Sequence, residues 1–148
     1  MKQLVTDFPQ QLREALLIGH RATIRPAGRP IHKIFVAGMG GSGIGANFVE
    51  TLIRREATVP MIIGKGYEVP KFVDENTLAI VSSYSGNTEE TLSALDDMLT
   101  SGAKIVCVAS GGAVMERARH FGLDFIALPP DKPAPRACLG YSFVQQLF

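Results

Sequence analysis

Ser82-Ser83-Tyr84-Ser85-Gly86-Asn87-Thr88-Glu89-Glu90-Thr91 follows the apolar run Leu78-Ala79-Ile80-Val81, and the change of character between the two decides the fold. The run is short, rich in β-formers and bounded by polar residues, which is the pattern of a buried strand. Beyond Gly86 the period lengthens. Leu92, Leu95 and Leu99, with Ala94 and Met98, mark one face of a helix from about Asn87 to Thr100. The turn between them therefore lies at the carboxyl end of a strand and the amino end of a helix. It carries the hydroxyls of Ser83, Ser85 and Thr88, and Gly86 lets the backbone bend close to a ligand. Orphan N–H groups and the positive end of a helix dipole make such a place an anion site, and hydroxyls with no lysine nearby suit a phosphate. On the turn alone a second reading stays open, in which Ser85 or Asn87 caps the helix and Glu89 and Glu90 complement its dipole.

A second stretch has the same grammar. Ile34-Phe35-Val36-Ala37 reads as a buried strand, followed by Gly38-Met39-Gly40-Gly41-Ser42-Gly43-Ile44-Gly45 and a helical pattern through Phe48, Val49, Leu52 and Ile53. Parallel strands present such turns at one sheet edge, so the two imply a single shared site. Further strands are predicted at Val59–Ile63, Lys104–Ala109 and Asp124–Leu128, with a helix through Met115, Ala118 and Phe121 that Gly122 stops. A short turn of helix is expected within Pro70–Asn76. The alternation predicts an α/β fold, a three-layer αβα sandwich whose five-stranded, mostly parallel sheet is covered by helices on both faces.

Before the first strand, Leu12, Ala15, Leu16 and His20 give an amino-terminal helix one apolar face, with Pro9 in its first turn. It reads as an accessory layer outside the βα repeat. After the last strand, Pro129-Pro130-Asp131-Lys132-Pro133-Ala134-Pro135 is too proline-rich for helix and delivers Arg136 stiffly to the functional edge. Leu139, Phe143, Val144, Leu147 and Phe148 then begin an apolar helical face that reads as cut off in mid-stride. The expected organisation is residues 1–32 as accessory helix and linker, 33–135 as the ligand-binding domain, and 136–148 as the start of a truncated helix.

With 148 residues, 46% of them apolar, the chain has enough material for one proper core. Its 15 basic and 14 acidic residues give a net charge of +1, so charge argues for neither nucleic acid nor an anionic membrane as partner. No apolar run approaches the roughly 20 residues that span a bilayer. Cys107 and Cys138 have no metal or CxxC spacing and read as packing residues of a reducing, cytoplasmic compartment. His20 and His32 lack ligand spacing, and no metal is expected.

Ser83-Tyr84-Ser85-Gly86-Asn87-Thr88 resembles the phosphosugar-binding signature of sugar isomerase (SIS) domains. Combined with the glycine stretch 38–45 and with Pro135-Arg136, it resembles more particularly the bifunctional phosphoglucose/phosphomannose isomerases, over about Ile34 to Tyr141. The resemblance implies a flavodoxin-like sheet and aldose-ketose interconversion of glucose 6-phosphate or mannose 6-phosphate with fructose 6-phosphate, without metal, nucleotide or other cofactor. It also implies roles. Ser42, Ser83, Ser85 and Thr88 would hold the phosphate, the backbone of Gly41, Gly43 and Gly86 would shape the site, and Arg136 would stabilise enediolate charge. Such enzymes carry two SIS domains, and this chain is long enough for the first. The general base and the ring-opening group, a glutamate and a histidine, come from the second domain and a partner subunit, so a homodimer is implied.

Two alternatives remain. A sugar-phosphate-binding regulatory module would use the same turns and catalyse nothing. Gly38-Met39-Gly40-Gly41-Ser42-Gly43 also fits GxGxxG, but a nicotinamide site needs an acid at the end of the second strand, where Ile63, Gly64 and Lys65 stand.

Overall fold

The two buried runs are direct neighbours in the sheet. In the computed structural model, which describes residues 6–132 and 135–148, strand β1 (Lys33–Gly38) pairs in parallel with β2 (Met61–Gly64) on one side and with β3 (Thr77–Ser82) on the other. β4 (Lys104–Ala109) and β5 (Asp124–Ala127) extend the sheet, giving the order β2-β1-β3-β4-β5 with every pairing parallel. From β1 the chain crosses outward to β2, then returns to the far side of β1 for β3. That reversal is the switch point at which open α/β sheets leave a crevice outside the carboxyl ends of their strands.

Helices α1 (Phe8–Arg21), α2 (Gly40–Ile53), α3 (Glu89–Met98), α4 (Gly112–His120) and α5 (Leu139–Gln145) cover both faces. Parallel crossovers are right-handed, so α2, leading one way from β1, and α3, leading the other way from β3, fall on opposite faces. Strand alternation matches this. Phe35, Ala37, Ala79, Val81, Ile105 and Cys107 pack with Leu95 and Met98 of α3 and Val114 and Met115 of α4. Val36, Ile80, Val108 and Ile126 point the other way, toward Ala15, Ala46, Tyr141 and Val144 of α1, α2 and α5. Both faces being apolar, the central strands read as continuous hydrophobic runs.

Three expectations are refined. Pro70–Asn76 forms turns and bends, because Asp74 Oδ1 accepts the Asn76 N–H at 3.0 Å and its backbone N–H is held by Thr77 Oγ1, an arrangement that competes with helix. The segment read as too proline-rich for helix ends in a 3₁₀ turn, Pro135–Cys138, that leads into α5; Pro133 and Ala134 lie outside the described residues. Helix α5 is packed within the domain, against α1 and α2, with Tyr141 and Val144 buried, while Leu147 and Phe148 stay half exposed. Both cysteines are buried, and burial pushes the Cys107 thiol up to about 12. Among the described residues no helix is long and apolar enough to cross a membrane.

Candidate functional site

The β3–α3 turn is built from its own hydroxyls. Ser83, buried at the end of β3, donates its N–H to the Val108 carbonyl at 3.0 Å, so the ladder to β4 runs one residue past the strand. Its Oγ accepts the Gly86 N–H at 3.1 Å and lies 2.9 Å from Thr88 Oγ1. Ser85 is exposed, and its Oγ accepts the Asn87 N–H at 3.2 Å. Gly86 has φ +70°, where a side chain is strained, and folds back so that its carbonyl accepts the Val114 N–H at 2.9 Å.

The capping alternative fails on geometry. Thr88 is the N-cap of α3, in extended backbone, and no side chain caps the helix. Asn87 is turned away: its Oδ1 accepts the Ala113 N–H at 3.0 Å in the first turn of α4. The hydroxyls of Ser83 and Thr88 bind each other, and Ser85 closes a local turn. The first turn of α3 thus faces the sheet edge with no side-chain acceptor on its N–H groups, although Glu89 and Glu90 stand in that turn.

The β1–α2 turn repeats the device. Met39 is the extended N-cap of α2, again with no side-chain cap, and its carbonyl accepts the N–H groups of Ser42 and Gly43 at 3.1 and 3.3 Å. A Cβ at Gly43 would stand 2.5 Å from the Gly38 carbonyl oxygen, so only glycine lets α2 start this close to β1. Ser42 is buried, its Oγ 3.5 Å from Ser142 Oγ of α5.

Gly38 and Ser82 are opposite each other in the β1–β3 register, which brings the two turns to one edge. Between them lies a hollow of about 320 Å³ lined by Met39, Gly40, Gly41, Ser42, Tyr84, Ser85 and Thr88. That volume is in the range of small-ligand sites. Gly41, Ser42, Ser85 and Thr88 of the expected set line it directly. Ser83 sits behind Thr88, and Gly43 and Gly86 shape the two turns. Among the described residues larger hollows also lie elsewhere, such as one of about 440 Å³ along β5 and one of about 420 Å³ walled by Phe8, Phe48, Leu52, Leu139 and Phe143. The second is almost wholly apolar although Phe8 and Leu139 open α1 and α5, and neither lies between the hydroxyl-bearing turns at the carboxyl ends of β1 and β3.

Arg136 belongs by its backbone to the 3₁₀ turn, but the side chains of Pro135 and Arg136 lie outside the described part of the structure. Met39, Gly40 and Tyr84 line the hollow without having been singled out as site residues. Tyr84 had a signal, as the one aromatic inside the hydroxyl turn. Its hydroxyl donates to the Pro129 carbonyl at 2.7 Å, tying the proline segment to the site, and burial holds its pKa above the ordinary phenol range. At the end of β2, Lys65 donates to Asn47 Oδ1 of α2 at 2.5 Å, and no acid stands where a dinucleotide ribose would need one. Tyr67 is half exposed, and partial desolvation, followed by the charges of Glu89 and Glu90, pushes its pKa up. Among the described residues no three His, Cys, Asp or Glu gather as a metal site.

A family model described as SIS domain matches residues 29–147. The chain belongs to the SIS domain family. A bifunctional phosphoglucose/phosphomannose isomerase of Caldicellulosiruptor bescii is 41% identical over 147 residues, which is 99% of this chain and 43% of that protein. The SIS domain therefore spans less than half of its curated relative. A crystal structure from Clostridium difficile 630 superposes with TM-score 0.78 at 17% identity, over 99% of this chain and 43% of that one. The tagatose-6-phosphate ketose/aldose isomerase of Escherichia coli gives TM-score 0.65 at 12% identity, over 97% and 41%. At such identities the likeness is one of fold.

Proposed function

We propose that this SIS domain holds the phosphate of a hexose phosphate in the hollow between the β1–α2 and β3–α3 turns. Its place would be within an enzyme that interconverts glucose 6-phosphate or mannose 6-phosphate with fructose 6-phosphate. The carrying observation is convergence: two helix N-termini without side-chain caps and the hydroxyl-bearing residues Ser42, Ser85 and Thr88 line one hollow, with Ser83 supporting Thr88. The 41% identity to a bifunctional phosphoglucose/phosphomannose isomerase supports the choice of hexose phosphate.

In the reaction a base removes the C2 proton of the open-chain aldose, and the electron pair becomes the C1=C2 bond of an enediolate. The proton returns at C1 as the O2 hydroxyl proton passes to O1. The part of this chain is to anchor the phosphate remote from those carbons, so that binding energy positions C1 and C2. Arg136, entering from the proline segment, would meet the negative charge on the enediolate oxygens. The base and the ring-opening group would come from a second SIS domain and a partner subunit. Ile44, Phe48 and Leu52 form an exposed apolar stripe on α2, and with Phe8 and Phe143 they offer such a domain a surface to cover. The absence of a disulfide at Cys107 and Cys138 fits a cytoplasmic enzyme.

Calorimetric titration of the 148-residue chain with fructose 6-phosphate tests the reading. Saturable binding at one site, competed by inorganic phosphate, is the expected result. No binding of fructose 6-phosphate, or preferential binding of NADP, would overturn it.

A further inference from the structure

Gln145 and Gln146 are adjacent, both buried, and point to different tasks. Gln145 Nε2 donates to the Ala15 carbonyl at 2.7 Å, fastening α5 to α1. Gln146 Nε2 reaches the opposite way and donates to the Ser42 carbonyl at 3.2 Å and to Ser82 Oγ at 3.1 Å. Its orientation is fixed by chemistry, since the Ser42 carbonyl can only accept and so demands the NH₂ side of the amide. Ser42 belongs to the first turn of α2, and Ser82 is the last residue of β3 immediately before Ser83. One side chain therefore spans the two turns that wall the hollow, using both of its N–H donors. Gln146 Oε1 is buried without a hydrogen-bond partner, a cost borne at a site where leucine would pack with no such loss.

We infer that Gln146 is a positioning residue: its carboxamide clamps the β1–α2 turn to the end of β3 and sets the width of the phosphate hollow. The inference rests on the phosphate reading for its functional consequence, and on the geometry alone for the clamp. Ser42 Oγ, 3.5 Å from Ser142 Oγ, gives α5 a second hold on the same turn.

Gln145 supplies the matched control, being a buried glutamine on the same segment with one hydrogen bond to a carbonyl remote from the hollow. Gln146→Leu and Gln145→Leu should both lower Tm. Hydrogen exchange should then separate them. The amides of Ser42, Gly43 and Gly86 are expected to exchange about tenfold faster in Gln146→Leu and at the wild-type rate in Gln145→Leu, the scale being that of one lost hydrogen bond to a buried group. Titration with fructose 6-phosphate should show about tenfold weaker binding for Gln146→Leu and unchanged affinity for Gln145→Leu. Equal exchange in the two variants overturns the clamp whether or not sugar phosphate binds. Faster exchange without any binding by the wild type leaves the clamp standing and removes the phosphate reading. Should Gln146→Leu fail to fold, Ser82→Ala removes one of the two acceptors at little packing cost, and it must shift the same amides in the same direction or the inference falls.

Discussion

Gly86 and Gly111 meet backbone to backbone: a Cβ placed on Gly86 would stand 1.8 Å from the Gly111 carbonyl oxygen. The hydroxyl turn is thus wedged against the next turn of the sheet edge, and Gly86 holds φ +70° to fit. Gly86→Ala adds both a left-handed strain of about 1–2 kcal/mol and a steric overlap with backbone that cannot rotate away. The expected outcome is a stability loss above about 2 kcal/mol by urea unfolding, accompanied by loss of sugar-phosphate affinity. A loss below about 1 kcal/mol would show that the two turns are not wedged.

The shared contact of Ser83 and Thr88 makes a prediction about donors. Each hydroxyl has one proton. Ser83 Oγ already accepts from Gly86, so if it donates to Thr88 Oγ1, the Thr88 proton is left to point into the hollow. Thr88→Val keeps the shape and removes that proton, and should weaken fructose 6-phosphate binding by about 1.5–3 kcal/mol, the range of a hydrogen bond to a charged group. Ser85→Ala should cost a similar amount. Titration that finds both variants at wild-type affinity would leave these hydroxyls a role only in the turn.

Asp124 carries a prediction about acid stability. It is buried at the start of β5 and accepts from Lys104 Nζ, from Arg25 Nε at 2.6 Å and from the Arg25 N–H at 3.1 Å. Burial alone would raise its pKa, but the bonds from Lys104 and Arg25 outweigh it and hold the carboxyl below the usual range. With the folded value depressed, the stabilisation is complete above the unfolded pKa of about 3.9 and is lost as pH falls through the folded value. Asp124→Asn should therefore flatten the loss of stability below about pH 4. At pH 7 Asp124→Ala should cost about 3 kcal/mol by leaving Lys104 without its partner. An unchanged acid transition in Asp124→Asn would assign acid lability to other carboxylates.

The strands were legible because buried parallel strands leave unbroken apolar runs, and the lining of the candidate hollow because its hydroxyl residues follow those runs directly. Helix α5 and its match to α1 were less so. Hydropathy gives weight to large residues, and it singled out Leu16, which is 45% exposed. The surface that actually closes is made of small ones. Ala15 and Gly19 are the buried residues of α1, and a Cβ on Gly19 would meet the Phe148 ring at 2.3 Å. Gly140 lies against Gln11, whose side chain accepts the Gly140 N–H at 2.7 Å and donates to the Ala137 carbonyl at 2.7 Å. Close approach through small residues and buried amides carries little apolar signal, so the seating of Tyr141 and Val144 within the domain was not legible beside the exposed Leu147 and Phe148. Gln145 and Gln146 were hidden for the same reason: polar residues in an apolar stretch look like a helix end until their acceptors are known.

Arg136 carries the last prediction. A charge that develops on the sugar oxygens only during proton transfer is best met by a group fixed in advance, and a guanidinium remains charged at any working pH. The start of the proline segment, Pro129 to Lys132, is anchored. Tyr84 holds the Pro129 carbonyl, and Lys132 pairs with Glu14 at 3.4 Å, whose carboxylate also accepts from Tyr141 of α5. That hydrogen bond from Tyr141 is the main reason the Glu14 pKa is lowered, so the anchor persists through neutral pH. In a full-length isomerase containing this domain, Arg136→Ala should lower kcat by roughly 10²–10³, about 3–4 kcal/mol, while KM changes little. Lysine should rescue poorly, because a point charge cannot reproduce the planar fork. Steady-state kinetics that show a raised KM with kcat intact would make Arg136 a contact for the bound sugar and remove it from the chemistry.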